Sequence, residues 1–101
     1  MKKIALSLLF VAISAFAANH IIDQKGKTFI PHEITVSPGD TITFKNSDPF
    51  AHNAYSDDKD NEFDIGMQSE GTEKTITINP GGDFSIECAI HPNMLLDVSV
   101  K

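Results

Sequence analysis

Apolar residues recur at every second position in five stretches: Ile34 and Val36; Ile42 and Phe44; Ile76 and Ile78; Phe84, Ile86 and Cys88; Leu96, Val98 and Val100. Thr, Ser, Asp or Glu stand between them. A period of two puts one face of an extended chain in a core and the other in water, so each stretch predicts a strand. Turn residues fall where these strands must end, at Ser37-Pro38-Gly39-Asp40, Asn46-Ser47-Asp48-Pro49, Asn79-Pro80-Gly81-Gly82-Asp83 and His91-Pro92-Asn93. Composition agrees: beyond residue 18 there are ten Ile and seven Thr but only two Leu, Leu95 and Leu96. Short strands at this spacing predict an all-β Greek-key sandwich of about seven or eight strands, two sheets each burying one face. No internal repeat is present. The acidic run Asp57-Asp58-Lys59-Asp60-Asn61-Glu62 is expected to be an exposed loop between strands.

The first seventeen residues follow another pattern. Thirteen are apolar, with Lys2 and Lys3 before the run Ile4 to Ile13, which only Ser7 interrupts, and Ala15-Phe16-Ala17 after it. A basic start, a short apolar stretch and a small-x-small end predict a secretory leader over residues 1–17, cut before Ala18, with one domain over 18–101. The run is shorter than the ~20 apolar residues that span a bilayer. The expected location is the periplasm, in soluble form.

Cutting there leaves six basic against fourteen acidic residues, a net charge of −8, and the chain contains no Arg. Nucleic acid and anionic membrane surfaces are therefore disfavoured as partners, and a basic protein is favoured. The acidic run reads first as a solvated loop and second as a steering patch for such a partner.

An exported domain of this size often relies on disulfides, yet Cys88 is the only cysteine. Its thiol has four readings: an intermolecular disulfide, a buried inert group, a nucleophile or a metal ligand. The residues that follow favour the last. Cys88-x-x-His91-x-x-Met94 brings thiolate, imidazole and thioether together between the last two predicted strands, with Cys88 on the core-facing parity. Two imidazoles, one thiolate and a weak thioether suit copper. The second imidazole comes from His20, His32 or His52; His52, after a predicted strand and the turn at Asp48-Pro49, is the best placed, and His32 reads as a strand-edge residue.

These residues resemble the small blue copper proteins, or cupredoxins, of amicyanin, pseudoazurin and plastocyanin type. The likeness runs through Phe29-x-Pro31 with Ile34-x-Val36, Pro38-Gly39-Asp40-Thr41-Ile42-x-Phe44-x-Asn46-x-Asp48, His52-Asn53, Phe63-Asp64-x-Gly66, Pro80-Gly81 and the Cys-x-x-His-Pro-x-Met loop. The two-residue gap between His91 and Met94 looks like amicyanin and pseudoazurin. The resemblance implies one copper ion held strongly by His52, Cys88 and His91 and weakly by Met94. It also implies that Asn53 steadies the Cys88 loop by a hydrogen bond, an outer contact of the kind that tunes a metal. Ala51, Ala89 and Ile90 depart from residues common in relatives; these departures touch the surroundings of the ligands, not the ligands.

The function implied is that of a one-electron carrier cycling between Cu(I) and Cu(II), with no enzymatic activity. The electron would leave through His91, with Phe50, Ala51, Ile90, Pro92, Asn93 and Leu95 as a small apolar docking face. Expected partners are redox proteins, such as a basic cytochrome or a dehydrogenase or reductase, met by a monomer. The alternative is a copper-binding or copper-delivery protein, which the same ligands would serve; cleavage before Ala18 would expose Ala18-Asn19-His20, a pattern able to wrap Cu(II) or Ni(II) in a square-planar nitrogen set, although His20 reads first as the start of a strand or a floppy terminus. A Cys88 nucleophile with His91 as base lacks a recognisable oxyanion donor set, and structural zinc rarely recruits Met.

Overall fold

A computed structural model describes residues 16–101. Most of the expected leader lies outside the described residues; its last two, Phe16 and Ala17, are exposed. Nine strands follow: β1 Asn19–Lys25, β2 Thr28–Ile30, β3 Glu33–Val36, β4 Thr41–Asn46, β5 Tyr55–Ser56, β6 Phe63–Asp64, β7 Glu73–Thr77, β8 Phe84–Glu87 and β9 Leu95–Val100. No helix is present among the described residues.

The strands form two sheets, ordered β2-β1-β4-β7 and β3-β9-β8-β5-β6. The parallel pairings are β1 with β4 and β3 with β9, one in each sheet. The expected all-β sandwich is thus observed. The alternation read from the sequence is the burial pattern found: Ile42, Phe44, Ile78, Phe84, Ile86, Leu96 and Val98 are buried, and Ile34, Ile76 and Val100 pack half-buried at the rim of the core. Phe44 sits centrally, its ring 6.3 Å edge-on from Phe29 in the first sheet and 6.1 Å from Phe63 in the second. Such aromatic pairs add to the area they bury.

Turns deliver the strands in register. In Ser37-Pro38-Gly39-Asp40, Asp40 donates its amide to the Ser37 carbonyl at 3.0 Å, and Gly39 takes φ +91°, the conformation a type II turn requires after Pro. The Asp40 carboxylate closes the same turn by accepting the Ser37 amide at 2.9 Å. It also reaches β1, accepting the Ala18 amide at 2.9 Å and His20 Nε2 at 2.9 Å. The exposed edge strand β7 carries Glu73 and Lys74, charges of the kind that discourage edge-to-edge association.

The acidic loop differs in part from expectation. Asp57 and Glu62 are exposed, but Asn61 is buried and clasps the Asn79 backbone, accepting its amide at 2.7 Å and donating to its carbonyl at 3.1 Å. The loop between β5 and β6 is therefore latched to the one between β7 and β8.

Candidate metal centre

Cys88 continues the core-facing parity of β8 by one residue, and its sulfur points inward at 2 % exposure. Met94 immediately precedes β9 and is 1 % exposed. A turn joins them, closed by the Met94 amide donating to the His91 carbonyl at 2.9 Å. The adjoining strands are locked by the pairs Glu87↔Leu95 and Ile86↔Leu96, so the loop has fixed ends.

His52 arrives from the other direction, on the segment leading from β4 of the first sheet to β5 of the second. Its backbone forms an isolated antiparallel bridge with Gln68, with hydrogen bonds of 3.0 and 2.7 Å. The ring is fully buried. His52 Nδ1 lies 3.2 Å from His91 Nδ1, and Cys88 Sγ lies 4.0 Å from that same His91 nitrogen. One donor atom from each of His52, Cys88 and His91 lies within 4.8 Å of the others. Two imidazole nitrogens and one sulfur aimed at a common point fit a soft or borderline cation. His91, half-buried, is the member of this trio that reaches solvent.

Around the trio, Phe50 packs edge-on to His52 at 5.3 Å and against His91 at 5.5 Å, with Lys27 Nζ 5.5 Å from the centre of its ring. Burial first, then the neighbouring His52 and Lys27, push the His91 imidazole below its usual pKa. Phe50, in contact with His91, is exposed, as are the chain neighbours of His91, Ile90, Pro92 and Asn93, while Ala51 is half-buried; Leu95 is exposed too, and lines a cleft with Ile30, Pro31 and His32.

Asn53 holds the Cys88 loop as expected: its Oδ1 accepts the Ala89 amide at 3.2 Å, and its Nδ2 donates to Asp64 at 2.7 Å. The other two histidines are not at the centre. His32 is exposed at the start of β3, beside Glu33. His20 lies in β1, its Nε2 on Asp40 and its backbone in the ladder with β4 at His20↔Ile42. His20 thus begins the first strand, the reading the sequence favours for it.

Sequence reasoning missed a buried polar scaffold behind His52. Gln24 donates to Gln68 at 2.7 Å, Gln68 donates to the Phe44 carbonyl at 3.0 Å, and Asn46 donates to the carbonyls of Phe50 and Gln68, each at 2.9 Å. Asp48 accepts from His52 Nε2 at 2.6 Å. Burial raises the Asp48 pKa, but hydrogen bonds from His52 and the amides of Lys27 and Gly26 outweigh it and hold the carboxyl below its ordinary value. The available signal was an acid four residues before the histidine, in a segment that reads equally well as a turn.

Comparison with known proteins agrees with this geometry. The sequence profile of "Copper binding proteins, plastocyanin/azurin family" matches residues 17–101. Among curated relatives, the methylamine utilization protein MauL of Methylophilus methylotrophus is 30% identical over 79 residues, covering 75% of this chain and 45% of that protein. The chain thus spans less than half the length of that relative. Plastocyanin B'/B'' of Nicotiana tabacum is 31% identical over 80 residues, covering 68% of this chain and 81% of the relative. Among solved structures, a Cu(I) amicyanin variant superposes with a TM-score of 0.75 at 22% identity, covering 85% of this chain and 90% of that one. A copper-containing nitrite reductase from Thermus scotoductus also gives 0.75, at 26% identity, covering 90% of this chain but 25% of the reductase. Fold, donor set and sequence together establish that the chain belongs to the plastocyanin/azurin family of copper-binding proteins.

Proposed function

We propose that the chain is an exported blue copper protein that carries single electrons between redox partners, with His52, Cys88, His91 and Met94 as copper ligands. The observation that carries this reading is the convergence of the His52, Cys88 and His91 donor atoms within 4.8 Å. Copper bound there supplies a one-electron couple, Cu(II) accepting an electron from a reduced partner and Cu(I) giving it to an oxidised one.

The protein's own contribution is rigidity and partial exclusion of water. The strands lock both ends of the Cys88–Met94 loop, and Asn53 holds it at Ala89, next to Cys88. A site held on all sides changes little between oxidation states, which favours fast transfer. Cys88, His52 and Met94 are buried, so the route outward runs through His91, beside exposed Phe50 and Ile90. Weak redox encounters bury under about 1,200 Å², a scale that suits this patch. The burial also favours a carrier over a delivery protein, since handing over the ion needs ligands that a recipient can reach.

The leader over residues 1–17 belongs to the same proposal and sends residues 18–101 to the periplasm as a monomer without enzymatic activity. A net charge of −8 after cleavage suits a basic cytochrome or a dehydrogenase or reductase with a basic face.

The test is the visible spectrum of residues 18–101 after one equivalent of Cu(II). The expected result is an intense thiolate-to-copper band that is absent in Cys88→Ser, because a serine hydroxyl does not ionise to replace the thiolate at neutral pH. A colourless protein whose Cys88 is instead oxidised would reject the blue site.

A further inference from the structure

Asp48 is buried, at 6 % exposure, and its hydrogen bonds link two distant parts of the chain. Oδ1 accepts the Gly26 amide at 2.8 Å, and Oδ2 accepts both the Lys27 amide at 3.1 Å and His52 Nε2 at 2.6 Å. Gly26 and Lys27 form the two-residue turn between β1 and β2, with Lys25↔Thr28 closing the hairpin. Both have positive φ, 63° and 57°, as a type I′ turn requires, and Lys27 is the only non-glycine among the described residues to do so. A lysine is strained in that conformation, which asks for outside support at this turn. The carboxylate supplies it by accepting both turn amides, so the turn and the acid immobilise each other. From the other side, Asn46 Oδ1 accepts the Asp48 amide at 2.8 Å.

A carboxylate fixed at both oxygens dictates what His52 can do. It accepts and cannot donate, so the 2.6 Å contact puts the imidazole proton on Nε2. The lone pair is then on Nδ1, the nitrogen that faces His91. An anionic acceptor on the far nitrogen also makes the ring a stronger donor, and a stronger donor stabilises the more highly charged ion.

We propose that Asp48 is a positioning residue for the metal centre: anchored by the Gly26–Lys27 turn, it holds His52 in the tautomer that offers Nδ1 and biases the site toward Cu(II). The inference rests on the copper reading above, and it makes the β1–β2 hairpin, remote in sequence from every ligand, part of what sets the reduction potential.

The experiment compares wild type with Asp48→Asn, which keeps the shape and removes the charge. Loss of an outer partner of this kind costs a metal site about 10–100-fold in affinity. A tenfold loss for Cu(II) with Cu(I) unchanged raises the potential by about 59 mV. The expected result is such a rise with the thiolate band retained, a combination that general loosening of the fold would not give. In copper-free wild type, the imidazole nitrogen spectrum should show His52 protonated at Nε2, with that proton slow to exchange. An unmoved potential in D48N, or His52 protonated at Nδ1 in wild type, overturns the proposal. The tautomer measurement needs no variant, so it decides even if D48N does not fold. A protein that takes up no copper fails the copper reading and this one together; a blue protein whose D48N potential does not move fails this one alone.

Discussion

At Asp40 one carboxylate takes hydrogen bonds from Ser37, Ala18 and His20, joining the turn before β4 to the start of β1. The Ser37 amide, then the His20 ring and the Ala18 amide, lower its pKa to about 2 from the ordinary 3.8. A depressed folded-state value stabilises the protein above the unfolded pKa, and that stabilisation fades as pH falls from about 3.8 toward about 2. Asp40→Asn is therefore expected to lower the melting temperature at pH 7 and to flatten its decline across that acid window, as thermal melts at stepped pH would show. Residues differ in how openly they declare such roles. Asn53 was legible because it follows His52 in a pattern that resembles a family. Asp48 was not, because nothing local separates an acid that closes a turn from one that orients a ring. Gln24 was hidden for another reason: it shares the buried parity of Ile22, and a polar side chain there reads as the end of a strand rather than as a partner for Gln68, 44 residues away.

Strands with two or more alternations were legible because period two is itself the burial pattern. β5 and β6 have two residues each and β2 has three, too few to show a period, and β1, though seven residues long, sets Ile21 beside Ile22 and buries Gln24, so it shows no alternation; the fold has more strands than the alternation reveals. Loops are harder still, since charge predicts exposure only on average. The acidic run between β5 and β6 is mostly solvated, yet Asn61 within it is buried against Asn79. Asp60 meets the opposite loop even more closely: a Cβ added at Gly81 would lie 2.7 Å from Asp60 Cβ and 2.9 Å from its Oδ2. Cβ is not the free end of a side chain, so the backbone of one loop would have to move. Gly81→Ala is expected to destabilise the fold by about 1–3 kcal/mol, the usual cost of overpacking. Urea unfolding of the two proteins would measure it, with the copper spectrum unchanged because this latch holds none of the ligands.

For the whole molecule, sequence yielded the sandwich and the convergence of His52 with the Cys88 loop, but not which sheets the pairings close. The parallel ladders supply that, and they differ greatly in span. Asn19↔Thr41 joins residues 22 apart, whereas Glu33↔Asp97 joins residues 64 apart. Closing the longer span costs about 1 kcal/mol more chain entropy. Folding is thus expected to run in an order, with the β1–β4 ladder formed in the transition state and β3 docking onto β9 afterwards. Ile42→Val should slow refolding, whereas Val36→Ala, in the late-docking β3, should mainly accelerate unfolding; stopped-flow chevrons would separate the two. His52, on the segment leaving β4, would then be in place before the strand that follows Met94 is fully docked. A copper ion meeting the chain before β3 docks would find the Cys88–Met94 loop already closed, since Glu87↔Leu95 joins residues only 8 apart, and the last strand to arrive would stiffen a site whose parts are in place.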